Sequence, residues 1–274
     1  MNKIIIITNM EQKYTNLLQA KNEVYVNNEV SLELHLLNDT EPWNKKWESE
    51  IYKAEFVLFS WMGTGLCCQF LKQASSFMQK NDIKHYFKIM DAGDDLLEKG
   101  IAVAEKNILL NYLNFGGLKN YVNLWYWLAN VFCKENCKFE EPKQMPWSGI
   151  YHPDYQKLIG TKDYLKFKNP YSKPVIAMVF SREDWLWGKT AYPSKVIQLI
   201  EDQDMIPLVV FTNNVGKSDV EGCLKNSITE FFYLDNKCII DVLINNFVFS
   251  LTVTRSIDID VLKNIYQSFK NYAD

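Results

Sequence analysis

The stretch that decides the fold runs from residue 55 to residue 94 and reads EFVLFSWMGTGLCCQFLKQASSFMQKNDIKHYFKIMDAGD. It begins with an apolar run of strand length, Glu55–Trp61, which leads into a turn that contains two glycines. Apolar residues then recur every three or four positions, as on the buried face of a helix. A second strand pattern, Lys84–Met90, ends in Asp91–Asp94. Strand, glycine turn, helix and strand in this order predict an open α/β sheet.

The same alternation continues on both sides of this stretch. Upstream lie two further strand patterns, Lys3–Asn9 and Leu32–Leu37, and downstream lie two helical patterns, Leu96–Leu113 and Leu118–Cys133. The C-terminal part of the chain repeats the pattern. Strands are predicted there at Lys173–Phe180, Ile206–Thr212, Ile228–Tyr233 and within Asp241–Leu251, and helices at Tyr192–Gln203, Val215–Lys225 and Asp258–Asn271.

Between these two parts the composition of the sequence changes. Prolines and charged residues replace the periodic apolar pattern from Cys133 to Lys173. We therefore predict an α/β protein with two successive open, mainly parallel units of the Rossmann or flavodoxin-like type, joined by a Pro-containing linker. The predicted boundaries are 1–140 for the first unit, 141–172 for a linker with a Tyr-His-Pro turn, and 173–274 for the second unit.

Composition narrows the class of protein. The chain has 274 residues, of which 47% are hydrophobic and 23% charged, a balance typical of a globular protein with a core. Its 30 Lys and Arg against 33 Asp and Glu give a net charge of −3, which offers no electrostatic reason to expect nucleic acid as a partner. The first apolar run, Ile4–Ile7, has strand length and is too short for a signal peptide or a membrane span. We therefore expect a cytoplasmic protein without a membrane span.

The six cysteines do not form a recognisable metal motif. Cys133 and Cys137 have a spacing that could supply two zinc ligands, but no second close pair of Cys or His accompanies them. We therefore predict reduced, structural thiols and no metal site.

The strongest candidate for a binding site is the segment Ser181–Lys189, which follows a predicted strand. Ligands of open α/β sheets usually bind just beyond the carboxyl ends of strands. Arg182 offers a planar fork for carboxylates, and Trp185 and Trp187 offer flat apolar surface before Gly188. The alternative, that both tryptophans pack the segment against a neighbouring domain, stays open. The adjacent Glu183 and Asp184 are expected to be solvated charges.

Two further motifs are candidates for weaker roles. Tyr151 and His152 precede a proline, where the histidine could bind a metal or carry a proton but fits a hydrogen-bonded turn better. Gly116 and Gly117 precede the apolar helix that contains Asn120, and paired glycines there can expose backbone N–H groups to an anion. The pair matches neither a P-loop nor a dinucleotide-binding fingerprint, so we expect a structural motif.

The order of these motifs resembles a known family. The blocks Tyr112–Asn120 and Gly149–Pro153, followed by the strand into Ser181, are similar to the N-terminal region of the large subunits of cobaltochelatase and magnesium chelatase. The resemblance extends over roughly residues 50 to 250. Two positions depart from the family pattern: Thr64 separates two glycines that are often paired, and Lys189 stands where a small or acidic residue is usual.

The resemblance implies a function for the chain as the N-terminal portion of such a subunit. The family inserts cobalt into hydrogenobyrinic acid diamide or magnesium into protoporphyrin, with the metal as substrate. The large subunit holds the tetrapyrrole, either a corrinoid precursor or a porphyrin, and separate partner subunits hydrolyse ATP with Mg²⁺. No cofactor is expected in this segment itself.

On this resemblance, the tetrapyrrole contacts would fall on one set of residues, with cobalt insertion favoured over magnesium insertion. The set is Arg182, Trp185, Trp187, Gly188, Tyr151 and His152. The chain alone is expected to lack chelatase activity. A freestanding tetrapyrrole-binding module and a purely architectural head domain stay open as alternatives.

Overall fold

The protein is represented by a computed structural model that describes residues 2–38, 40–63, 68–90, 98–155, 160–168, 173–213 and 222–247. The chain divides into two compact units, Met1–Gln144 (unit 1) and Met145–Asp274 (unit 2). Each unit contains its own sheet and its own buried apolar clusters. We describe them one at a time.

Unit 1 is an open α/β sheet flanked by helices on both faces. Its elements are β1 (Asn2–Thr8), α1 (Glu11–Lys21), β2 (Val30–Leu36), α2 (Lys45–Tyr52), β3 (Phe56–Met62), α3 (Gln69–Lys80), β4 (His85–Met90), β5 (Glu98–Lys99), α4 (Val103–Phe115) and α5 (Leu118–Cys133). The strand order is β2-β1-β3-β4-β5. The first four strands are parallel, and β5 pairs with β4 in the antiparallel direction.

The two faces of the unit 1 sheet follow from the alternation of side chains along its strands. Ile5 and Ile7 of β1 belong to the apolar cluster that also buries α2 and α3. On the opposite face, Phe56 of β3 stacks on Phe132 of α5 with 3.9 Å between ring centroids. The helix α5 also contacts α1, where the indole N–H of Trp125 donates to the carbonyl of Leu17. A sheet buried on both faces explains why its central strands are almost continuously apolar.

Unit 2 has the same layered construction around a shorter sheet. Its elements are β6 (Gly149–Ile150), α6 (Thr161–Lys168), β7 (Val175–Ser181), α7 (Arg182–Leu186), α8 (Ala191–Asp202), β8 (Ile206–Thr212), α9 (Leu224–Phe232), β9 (Tyr233–Leu234), β10 (Lys237–Cys238) and β11 (Val242–Asn245). The main sheet has the order β11-β7-β8-β6, in which β11, β7 and β8 are parallel and β6 runs antiparallel to β8. The strands β9 and β10 form a short antiparallel pair.

The chain path of unit 2 reverses at β7. One face of the sheet packs on α8 through Met178, Phe180 and Ile197, and the other face packs on α6 and α9. From β7 the chain passes through α8 to β8 on one side, and then through α9 to β11 on the other side of β7. In open α/β sheets such a reversal opens a crevice beyond the carboxyl ends of the strands.

The predicted fold class is confirmed: both units are α/β with mainly parallel sheets. Three local predictions differ from the structure. The helix expected from Leu96 begins at Val103, because Glu98–Lys99 pairs with β4 instead. The strand expected over Ile228–Tyr233 is mostly helix α9, and its apolar residues bury one helical face. The segment Ser181–Lys189, for which no helix was predicted, contains the short helix α7.

The boundary between the units falls after Gln144, and Gly149–Ile150 of the predicted linker pairs with β8 in the sheet of unit 2. Several sequence predictions lie outside the described residues. They are Gly65, Asp91–Asp94, most of the helix Val215–Lys225, and the helix Asp258–Asn271.

Candidate functional site

The segment 181–189 lies at the carboxyl end of β7, where the chain path reverses. The Ser181 hydroxyl caps α7 by accepting a hydrogen bond from the backbone N–H of Glu183 at 3.1 Å. Near the end of the segment lies Gly188, which is exposed and has a φ of +67°, a conformation that L side chains rarely adopt. The sequence therefore places this segment where ligands of open α/β sheets usually bind.

Arg182 is buried and faces the main chain of its own unit. Its side chain is 4% exposed. Its Nε donates to the carbonyl of Pro146 at 2.7 Å, and one Nη donates to the carbonyl of Met145 at 3.2 Å. The guanidinium also lies 4.3 Å from the ring centroid of Trp147, a cation–π arrangement. These contacts make Arg182 an anchor for the segment that enters unit 2, and a ligand contact by this side chain stays a prediction.

The two tryptophans of the segment have different surroundings. Trp185 stacks on Phe211 of β8, with 4.0 Å between centroids and 3° between the planes. Trp187 donates from its indole N–H to the Glu183 carboxylate at 3.1 Å. Both side chains are half-buried, so each keeps part of its surface open. One face of Trp185 is accounted for by packing, and contact of either ring with a ligand stays a prediction.

Tyr151 and His152 fasten the entry of unit 2 to α8. The Tyr151 hydroxyl is hydrogen-bonded to the Ser194 hydroxyl at 2.8 Å, and its ring lies edge-on to Phe180. His152 is buried, and its Nδ1 accepts from the backbone N–H of Asp154 at 3.2 Å.

The other ring nitrogen of His152, Nε2, lies 3.3 Å from the carboxylate of Glu201. Since Ser194 and Glu201 are seven residues apart, the two attachment points lie about 10 Å apart along the helix. Tyr151 and Trp185 both pack against the apolar cluster of Phe180 and Phe211, whereas the His152 ring is held by Glu201 further along α8.

The glycine pair of unit 1 joins two helices. Gly116 and Gly117 both have positive φ values, +66° and +83°, and stand between α4 and α5. The amide of Asn120 donates to the carbonyls of Gly116 at 2.7 Å and Lys143 at 2.9 Å, and it accepts from the Lys143 N–H at 2.9 Å. The motif connects α5 to the end of unit 1.

The structure connects two polar residues that the sequence did not single out as a site. The side-chain amide of Asn246, which follows β11, donates a hydrogen bond to the hydroxyl oxygen of Tyr192 in the first turn of α8. Asp184 was expected to be a solvated charge, but it is half-buried, and burial raises the pKa of its carboxyl. Burial and the nearby Asp184 raise the pKa of Tyr192 to about 12. In the sequence, only the position of Asp184 just after a predicted strand indicated this burial.

The described ranges contain no cluster of candidate metal ligands. Within them, no group of three or more His, Cys, Asp or Glu side chains could hold a metal ion. None of the five described cysteines is in a disulfide bond, and burial raises the pKa of Cys133 to about 11, so this thiol stays protonated at neutral pH. In the same ranges, no helix is long and apolar enough to cross a bilayer.

Unit 1 carries an open groove of about 470 Å³ on the outer side of α3. Trp43 and Phe77 form its aromatic wall, with ring centroids 5.6 Å apart. The exposed Lys72 and Lys80 lie on the same face of α3, two turns apart. None of the residues that line the groove is among those that the sequence predicted as ligand contacts.

Comparison with known proteins identifies the family. The family model described as CobN/Magnesium Chelatase matches residues 110–265, which is more than half of the chain. The chain belongs to the CobN/magnesium chelatase family. The matched range begins in α4 and includes the Gly116 and Gly117 motif, the Tyr151 and His152 turn, and the segment after β7.

Individual relatives are much longer than this chain. The uncharacterized protein MJ0908 of Methanocaldococcus jannaschii is 34% identical over 162 residues, which cover 57% of this chain and 13% of the relative. The catalytic subunit of cobaltochelatase from Mycobacterium tuberculosis superimposes with a TM-score of 0.48 at 14% identity, covering 89% of this chain and 18% of that subunit. The chain therefore spans less than a fifth of either protein.

Proposed function

We propose that the chain acts as the N-terminal portion of the large subunit of an ATP-dependent metal–tetrapyrrole chelatase, with cobalt insertion favoured over magnesium insertion. The observation that carries the proposal is the match of residues 110–265 to the CobN/magnesium chelatase family model. The substrate is then a tetrapyrrole, either a corrinoid precursor or a porphyrin, together with the metal ion. This portion contributes tetrapyrrole contact or subunit docking.

The proposal extends to partners and location. ATP and Mg²⁺ are used by separate motor subunits, and this chain holds neither. We place the protein in the cytoplasm, in keeping with the lack of disulfide bonds among its described cysteines. The net charge of −3 gives no support to nucleic acid as a further partner.

Two features of unit 2 support a contact role for the carboxyl end of β7. Trp185 and Trp187 expose part of their aromatic surface there, next to the exposed Gly188. Flat aromatic surface suits a macrocyclic ring. Arg182 is engaged with backbone carbonyls, whereas Lys189 at the end of the same segment is exposed. The carboxylates of a tetrapyrrole would therefore reach Lys189 more easily than Arg182.

Tryptophan fluorescence during titration with a corrinoid precursor and with a porphyrin tests the proposal. We expect saturable quenching, and we expect Trp185→Phe to reduce its amplitude because that indole lies in the proposed contact. Trp43→Phe, in unit 1, is the matched control and should leave the quenching by a ligand bound to unit 2 unchanged. Absence of quenching by either ligand at tens of micromolar would refute tetrapyrrole contact.

An architectural head domain is the alternative that specific observations favour. The stacking of Trp185 on Phe211 and the burial of Arg182 are both contacts that stabilise unit 2 itself. In that case the titration shows no quenching, and the partially open tryptophans contact the rest of the subunit instead. A freestanding tetrapyrrole-binding module gives the same quenching but adds nothing to chelation when mixed with the motor subunits.

A further inference from the structure

One side of unit 2 leaves four large apolar side chains exposed. They are Val242 and Ile244 of β11 and Tyr192 and Leu199 of α8, with exposed fractions of 47%, 37%, 37% and 53%. We call these four residues the β11–α8 patch. In the described part of the unit, Tyr155 is the one other large apolar side chain that is exposed. Single exposed apolar residues are ordinary, but a contiguous group of them is typical of a surface that binds another apolar surface.

The alternation of side chains places both β11 residues of the patch on the side of the sheet that carries α8. Leu243 packs on the apolar cluster of α6 and α9, so its neighbours Val242 and Ile244 point to the opposite face. They pair in register with Ile176 and Met178 of β7, which are both buried. The helical cover over this face of the sheet therefore ends between β7 and β11.

The two α8 residues of the patch lie on the flank of the helix that faces β11. Tyr192 accepts a hydrogen bond from the side-chain amide of Asn246, which follows β11. Leu199 stands about two turns further along the same helical face. Ser194 and Glu201 lie on the other flank, where they contact the entry of unit 2. The patch is therefore a cleft with β11 as its floor and α8 as one wall.

The sequence beyond Phe247 contains a segment that matches this cleft in its apolar pattern. Residues 248–274 lie outside the described residues, and their sequence predicts a helix over Asp258–Asn271. Apolar side chains recur in it at helical spacing, namely Val261, Leu262, Ile265, Tyr266 and Phe269. Every other position from 260 to 271 is polar or charged. A helix with one apolar face needs an apolar surface on which to bury it.

The length of the chain allows this segment to reach the cleft and to fill it. Residues 248–260 connect Phe247 to Val261, and an extended chain of this length spans about 43 Å. The predicted helix Asp258–Asn271 would be about 21 Å long, and α8, with 12 residues, is about 18 Å long. The segment can therefore lie beside α8 along its whole length, as neighbouring helices do on one face of an open α/β sheet.

We propose that the segment Val261–Phe269 packs its apolar face into the β11–α8 patch and covers this side of β11. Parallel strands are covered on both faces, and the other face of β11 is already buried through Leu243. Because Tyr192 lies in the first turn of α8, the docked segment also borders the carboxyl end of β7. The proposal does not rest on tetrapyrrole binding, and the fluorescence titration remains a separate test.

Methyl NMR spectra of the full chain, labelled with ¹³C at the methyl groups of Ile, Leu and Val, test the docking directly. We expect nuclear Overhauser contacts from the Ile244 methyl groups to the Phe269 ring or to the Ile265 methyl groups. In a mixture of labelled and unlabelled chains, an isotope-filtered spectrum should show no such contact between different molecules. Contacts between molecules would assign the patch to a second copy of the chain and overturn the proposal, and so would the absence of contacts in both samples.

Two variants with the same change of charge separate the apolar face from the rest of the segment. Ile265→Asp places a carboxylate in the apolar face and should release it, which moves the methyl resonances of Val242 and Ile244. Gln267→Asp adds the same charge on the polar face and should leave those resonances unchanged. The dispersion of the methyl resonances of Ile176 and Leu243 reports whether each variant is folded. Unchanged Ile244 resonances in a folded Ile265→Asp variant would remove the segment from the cleft.

Discussion

Replacing Arg182 by alanine removes the side chain that ties the entry of unit 2 to the carboxyl end of β7. The guanidinium makes hydrogen bonds of 2.7 Å and 3.2 Å to the carbonyls of Pro146 and Met145, and it lies 4.3 Å from the Trp147 ring centroid. Hydrogen bonds to a charged group contribute about 1.5–3 kcal/mol each, and a cation–π contact about 0.5–2 kcal/mol. Because such contributions are not additive and water can enter the vacated site, we expect a net loss of about 3 kcal/mol.

Urea unfolding of the full chain, followed by tryptophan fluorescence and by far-ultraviolet circular dichroism, measures this loss. Arg182→Lys keeps the charge but not the fork that reaches two carbonyls, so it should fall between wild type and Arg182→Ala. Lys189→Ala changes an exposed cation of the same segment and should alter the free energy of unfolding by less than about 0.5 kcal/mol. A loss below about 1 kcal/mol for Arg182→Ala would refute the anchoring role and return this side chain to the list of ligand candidates.

Three further predictions concern stability and its pH dependence. Gly222→Ala should destabilise unit 2 by at least about 2 kcal/mol, because Gly222 has a φ of +66° and a Cβ there would lie 2.4 Å from the Cβ of Trp147. The control in the same unfolding assay is Gly160→Ala, whose added Cβ meets nothing within 4 Å. Asn120→Ala should lower the free energy of unfolding in urea by about 2–3 kcal/mol, because it leaves the carbonyls of Gly116 and Lys143 and the Lys143 N–H without this partner. A loss below about 0.5 kcal/mol would contradict the role of the glycine motif. His85 is fully buried, and burial lowers its pKa below 6.5. Its contribution to stability should therefore be complete above pH 6.5 and be lost as the pH falls toward the folded-state pKa. Comparing the urea midpoints of wild type and His85→Leu from pH 8 to pH 5 measures this loss, and parallel pH profiles of the two proteins would contradict it.

The sequence predicted the parts of the fold that depend on local pattern. The run Ile4–Ile7 predicts a buried strand and forms the centre of β1, since a doubly covered parallel strand must be apolar throughout. The run Ile228–Tyr233 is apolar in the same way but lies mostly in α9. Its helical face becomes visible only when Leu224 is included, because a short apolar run fits a buried strand and a buried helix equally well.

The candidate site was less predictable because its contacts join distant positions. The position of Arg182 beyond a strand was visible, but its partners are backbone carbonyls 36 and 37 residues upstream, and backbone acceptors have no sequence signature. Tyr192 could not be connected with Asn246, 54 residues downstream, until the strand order β11-β7-β8 was known. Sequence pattern places residues at strand ends, whereas the strand order decides which ends are neighbours.

The two-residue strand β6 has a consequence for how unit 2 behaves when it is separated from the rest of the chain. Gly149 and Ile150 pair with Phe211 and Val210, so they occupy the outer edge of β8. Without them, the backbone N–H and C=O groups along that edge would be open to pairing with another chain, as at any exposed strand edge. A recombinant piece that starts at residue 145 retains this cover and the carbonyls that Arg182 binds, whereas one that starts at residue 153 should self-associate through β8.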